Sequence, residues 1–287
     1  MVPPPTVPPE TDRGGTALCA PAGFFCVAAG FAVFALQHLL SGRFLTRLTP
    51  PAGSMAAQHG LLPHLAGVIL LLAVLLLVLP SSRRRTALVL GILVLASFLF
   101  LHLPIVVKAD RWGADWTHAF KALALSGACF ALVAWDRGPP VLRSVSPDAP
   151  AADGAHPSPV SGRLGTAASW AARSFLAAFL VVAGIQHFLW APFVATLVPS
   201  WIPAAAFWTY FTGVALIAGG AGLLFRVSRR MAALAVGAMI FSWVVLLHAP
   251  RVFSDPANAN ELTSLAEALA FGGTAWLLSG RRHPASA

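Results

Sequence analysis

The chain has 287 residues, of which 57% are hydrophobic and only 10% charged, and its mean hydropathy is +0.77. That leaves too few charges to cover a soluble globule of this size and places the chain among membrane proteins. The formal charge of +9 does not point to nucleic acid, because the basic residues sit between apolar runs instead of forming a face.

Residues 1–16 are rich in proline, and the stretch carries one basic residue, Arg13. It lacks the basic start of a secretory signal and reads as a disordered tail. A helix needs about 20 apolar residues to cross a hydrocarbon core of about 30 Å. Eight runs meet that test, at 19–40, 60–79, 86–107, 115–135, 168–190, 205–225, 231–249 and 262–279. Four lie within 17–136 and four within 168–280. Between them, 137–167 carries almost no large apolar side chains and reads as a flexible cytoplasmic linker, while 281–287 reads as a short cytoplasmic tail. The three cysteines, Cys19, Cys26 and Cys129, form no C-x-x-C pair, and the two inside apolar runs read as packed thiols.

The two halves repeat one pattern. A shift of 149 residues lays Gln186, His187, Leu189, Phe193, Leu197 and Pro199 on Gln37, His38, Leu40, Phe44, Leu48 and Pro50. A shift of 146 lays Arg229, Arg230, Gly237, His248, Pro250, Thr263 and Gly273 on Arg83, Arg84, Gly91, His102, Pro104, Thr117 and Gly127. The expected fold is therefore all-α, with eight transmembrane helices forming two four-helix bundles. Four crossings per unit return the chain to its starting side, so the two bundles are parallel. Arg13, Arg83–Arg85, Arg137, Arg143, Arg163, Arg226, Arg229, Arg230, Arg281 and Arg282 fall on one side, against Arg43, Arg47, Lys108, Arg111 and Arg251 on the other. The positive-inside rule then puts both termini in the cytoplasm.

At 1.5 Å rise per residue, His38 and His102 reach one level near the outer face, and His187 and His248 repeat that arrangement. The fourth and eighth runs begin on the same side with Asp115 and Glu261. Each half thus offers a glutamine, two histidines and a carboxylate: Gln37, His38, His102 and Asp115, then Gln186, His187, His248 and Glu261. Polar side chains in a membrane are costly and turn toward the bundle interior, where they mark sites or relays. Facing imidazoles suit a quinone carbonyl or, as the alternative, axial ligation of haem iron. The structural reading is that these groups bond neighbouring helices, with the acids capping helix starts. Lys121 and Glu267, which also match at 146, are the main charges expected within the membrane, either at a site or snorkelling outward. Trp112, Trp116, Trp201, Trp208 and Tyr210 fit an interfacial aromatic belt.

Gln186-His187-Phe188, Phe193-Val194-Ala195, Leu197-Val198-Pro199-Ser200-Trp201-Ile202-Pro203, Phe207-Trp208, Thr212-Gly213, His248-Ala249-Pro250-Arg251 and Glu261-Leu262-Thr263 together resemble the DoxX-like family of bacterial membrane proteins. The resemblance covers about residues 170–280. In the first half the Trp-Ile-Pro loop is missing, Ile105 stands for Arg251 and Asp115 for Glu261. It implies a four-helix unit in a bacterial plasma membrane and a subunit or accessory of a quinone-linked sulfur or thiol redox system. A redox-enzyme partner subunit is implied as well. No G-x-G-x-x-G fingerprint is present, so the chain is expected to handle quinone or anchor a partner. Two other functions fit the sequence: a small-solute carrier, which the duplication suggests, and a non-catalytic scaffold or assembly factor.

Overall fold

The structure, a computed structural model, describes residues 18–45, 60–135 and 159–280. The expected tails and most of the expected linker lie outside the described residues. Within them the chain is helical throughout, without a strand. The helices are α1 (Cys19–Ser41), α2 (Leu61–Val78), α3 (Pro80–Lys108), α4 (Ala114–Trp135), α5 (Pro159–Leu189), the short α6 (Ala191–Ala195), α7 (Ala205–Leu224), α8 (Arg229–Ser254) and α9 (Ala259–Ser279). Every expected run is a helix. α5 starts at Pro159, so 159–167 is helix where linker was expected. Proline suits a first helical turn, because its missing N–H has no partner there anyway.

Seven of these helices, α1 to α5, α7 and α8, are long and apolar enough to cross a membrane, and the protein is a multi-pass membrane protein. Apolarity follows exposure. α2 has a mean hydropathy of 2.8 and is only 17% buried, whereas α4 has 1.4 and is 78% buried. A helix facing lipid must be apolar on its outer surface, while an enclosed one can use small and polar side chains. α9, with Glu261 and Glu267 among its 21 residues, is of the enclosed kind.

The central helices come from both halves. α1 packs along α9, α4 packs along α5, and α4 also crosses α9. α2 and α3 bridge α1 to α4 on one flank, as α7 and α8 bridge α5 to α9 on the other. The two sets of four helices are thus joined through a shared core rather than standing apart. Glycine makes this approach possible. A Cβ on Gly23 would lie 2.5 Å from the Gly273 carbonyl oxygen, and one on Gly30 would lie 2.7 Å from that of Ala266. Side chains at those positions would hold α1 and α9 apart.

α3 and α8 each contain one π turn, at Phe98–His102 and Val244–His248. The Leu103 N–H reaches the Phe98 carbonyl, and the Ala249 N–H reaches that of Val244. Pro104 and Pro250 follow directly. A proline ring clashes with the carbonyl four residues back, and a widened turn relieves that clash without ending the helix. The residue closing each widened turn is a histidine. At the opposite end of the bundle, Arg83 donates to the Leu77 and Val78 carbonyls at 2.9 and 3.1 Å, which caps α2, and its guanidinium lies over Phe24 at 4.7 Å.

Candidate functional site

α1 and α5 end, and α4 and α9 begin, at one end of the bundle, here called the histidine end. Gln37 sits near the end of α1, and its amide Nε2 donates to the Ala259 carbonyl at 2.8 Å and to Thr263 Oγ1 at 3.1 Å. Gln186, near the end of α5, donates from Nε2 to the Gly113 and Trp112 carbonyls at 2.9 and 3.1 Å and accepts from Thr117 Oγ1 at 2.8 Å. Each glutamine therefore fastens the end of one helix to the start of a helix from the other half. Their polar atoms are taken up by protein, which is the structural role weighed for them.

The histidines adjoin these glutamines but are bonded differently. His38 Nδ1 lies 2.7 Å from the Phe34 carbonyl oxygen, and His187 Nδ1 lies 2.7 Å from that of Ala183. A carbonyl only accepts, so Nδ1 carries the hydrogen and Nε2 holds the lone pair. Exposure separates the two halves. His38 and His102 are 4% and 2% exposed, whereas His187 and His248 are half-buried. Gly213 on α7 admits the second-half imidazole. A Cβ there would lie 2.9 Å from both the His187 Cβ and the Phe188 ring, and Phe188 in turn packs on Tyr210 with ring centres 5.7 Å apart.

The acids stand apart from this arrangement. Asp115 is exposed in the first turn of α4, and Glu261 is half-buried in the first turn of α9. Negative charge in a first turn complements the helix dipole. The residue that caps α9 is Asn258, whose side chain accepts from the Asn260 N–H at 3.1 Å. Among the described residues, no three of His, Cys, Asp or Glu gather as a metal-binding cluster.

The second-half motifs meet at the loop after α6. Arg251 Nη2 donates to the Leu197 carbonyl at 2.8 Å, tying α8 to the Leu197–Pro203 loop. Ala204, next in line, adopts φ 58° and ψ 50°, a left-handed conformation that costs a non-glycine residue about 1 kcal/mol. The first half has Ile105 in place of Arg251 and lacks the Trp-Ile-Pro sequence.

Sequence reasoning named Lys121 and Glu267 but not their partnership. Lys121 Nζ lies 2.5 Å from Glu267 Oε2, where α4 crosses α9. Both sit one helical turn deeper than the threonines that hold the glutamines. The matched pairs Thr117/Thr263 and Lys121/Glu267 were the available signal, since all four fall on the central helices.

The family described as a domain of unknown function (DUF8561) matches residues 176–252. That segment holds Gln186, His187, Leu197, His248 and Arg251 and stops short of α9. No curated protein and no solved structure matches the chain.

Proposed function

We propose that this protein is a duplicated DoxX-like unit of a bacterial plasma membrane, crossing eight times with both termini cytoplasmic, and that it handles quinone for a sulfur or thiol redox partner. The observation carrying this reading is the state of His187. Its Nδ1–H is held by the Ala183 carbonyl, its Nε2 lone pair is left to accept, and the ring is partly accessible where its first-half counterpart is enclosed. An acceptor nitrogen at the edge of the bilayer suits the hydroxyl of a quinol. As the quinol loses two electrons to a partner, the imidazole receives one of its two protons and water at the membrane surface receives the other. His248, which closes the π turn of α8 and is half-buried, is the second imidazole of the same half.

The test is extraction of lipid-soluble quinone from the detergent-purified protein, alongside oxidised and reduced visible spectra. Quinol should copurify from protein purified under reducing conditions, and replacing His187 and His248 together by alanine should lower its retention at least about tenfold, the loss expected for one or two hydrogen bonds. A protein without quinol, or an inserted double variant that keeps it, refutes the assignment. A Soret band lost in the variant replaces quinone with haem.

A further inference from the structure

The ion pair of Lys121 and Glu267 lies inside the bundle. Lys121 is seven residues into α4 and Glu267 eight residues into α9, about 10–12 Å below the histidine end at 1.5 Å per residue. The Glu267 side chain is 2% exposed. Only Oε2 is paired: among the described residues Oε1 is enclosed and has no hydrogen-bond partner. A carboxylate oxygen left bare in the interior is costly, and a structural ion pair alone gives no reason for it.

An opening lies one helical turn above this level, at the histidine end. A cavity of about 330 Å³ opens there, lined by Ser41, Arg43, Phe44, Ala259, Asn260 and Thr263 among others. Thr263 belongs to its wall, and Glu267 follows Thr263 by four residues on the same helix face. Side chains on a helix lean toward its N-terminus, so the Glu267 carboxyl leans toward Thr263 and the cavity.

Few other groups compete for a proton at this depth. On α4 the nearest titratable residue besides Lys121 is His118, a turn nearer the histidine end, and on α8 it is His248, which closes the π turn. The stretches of α1 (31–36), α5 (180–185) and α8 (240–247) beside this level carry none. We infer that Glu267 is a proton-binding site within the membrane, loaded through the cavity at the histidine end. A hydronium delivers its proton to Oε1, one O–H bond forms as another breaks, and water leaves. The pair then becomes a neutral acid beside the Lys121 ammonium, which weakens the α4–α9 crossing. This goes beyond the quinone reading and does not depend on it.

The test is labelling of the intact protein by a hydrophobic carbodiimide, which reacts with protonated carboxyls, with the modified residue found by peptide mass spectrometry. Glu267 should be labelled several-fold more at acid than at alkaline pH, and Glu267→Gln should lose the label. The infrared carbonyl band lost in Glu267→Gln should shift promptly in heavy water, as access from the cavity requires. An unlabelled Glu267 in the wild type overturns the inference. If Lys121→Met is labelled while the wild type is not, the pair is permanently charged; if neither is, the site is sealed. A band that ignores heavy water overturns the route.

Discussion

The Lys121–Glu267 pair allows a quantitative test of how the two halves are held together. Lys121→Met removes the ammonium and leaves both Glu267 oxygens enclosed without a cation, a change that costs about 3–5 kcal/mol when a charge stays buried. Glu267→Leu is milder. Lys121 is 16% exposed, and its stem can carry the ammonium toward the histidine end, so the expected cost is about 1–2 kcal/mol. Replacing both leaves an apolar contact of similar volume, which buried pairs tolerate with little loss. The double variant should therefore lie within about 1 kcal/mol of the wild type, giving a coupling of at least about 3 kcal/mol. The measurement is reversible unfolding in mixed micelles, followed by tryptophan fluorescence. Single effects that add, with a coupling below about 0.5 kcal/mol, refute the view that the pair is one enclosed unit.

Two further outcomes follow from particular contacts. Gly273→Ala places a Cβ 2.6 Å from the Gly23 carbonyl oxygen and 2.9 Å from the Cys26 Cβ, so α1 and α9 must separate. The expected loss is about 1–3 kcal/mol in the same assay, whereas Gly60→Ala, with nothing within 4 Å, should leave stability unchanged; equal effects refute the contact. Arg251→Met frees the Leu197 carbonyl and should speed amide exchange in residues 196–204 by roughly tenfold, the loss of a charged hydrogen bond, with Arg251→Lys partly restoring protection. Unchanged exchange there shows that Arg251 does not hold the loop.

The helices were legible because lipid imposes a strong signal. α2, α3 and α8 meet the bilayer on most of their surface, and a run of apolar residues is the only composition that can. Pairing was much less legible. Nothing in a hydropathy profile says that α1 lies against α9, because that choice rests on a few small residues such as Gly23 and Gly273 whose sequence context is ordinary. The recurring residue pattern led to the expectation of two four-helix bundles, and such a pattern does not state whether the two sets of helices close on themselves or on each other. At the site, the histidines were found by recurrence, but their difference in exposure depends on tertiary enclosure. The roles of Gln37 and Gln186 were equally hidden, because their partners are backbone carbonyls and threonines on the opposite half.

The polar contacts of the core share one geometry. Gln37 reaches Thr263 and Ala259, while Gln186 reaches Thr117 and Gly113. Apply the offsets of 149 and 146, and each set of partners becomes the other. This is the reciprocity of a two-fold interface, in which residue i of one unit meets j of its partner and j meets i. Lys121 and Glu267 differ from that pattern in one respect. They are equivalent positions facing each other where α4 crosses α9, so they lie where the axis of such an interface would pass. Two identical subunits would bring lysine to lysine or glutamate to glutamate there, like groups that a low-dielectric core accepts only when one of them is neutral. Opposite charges can meet at that point only when the two copies are free to diverge. A single chain carrying both copies meets that condition. In the duplication proposed above, fusion thus does more than tether two bundles. It permits a pair of unlike, oppositely charged residues at a position where a dimer of identical units must place like on like.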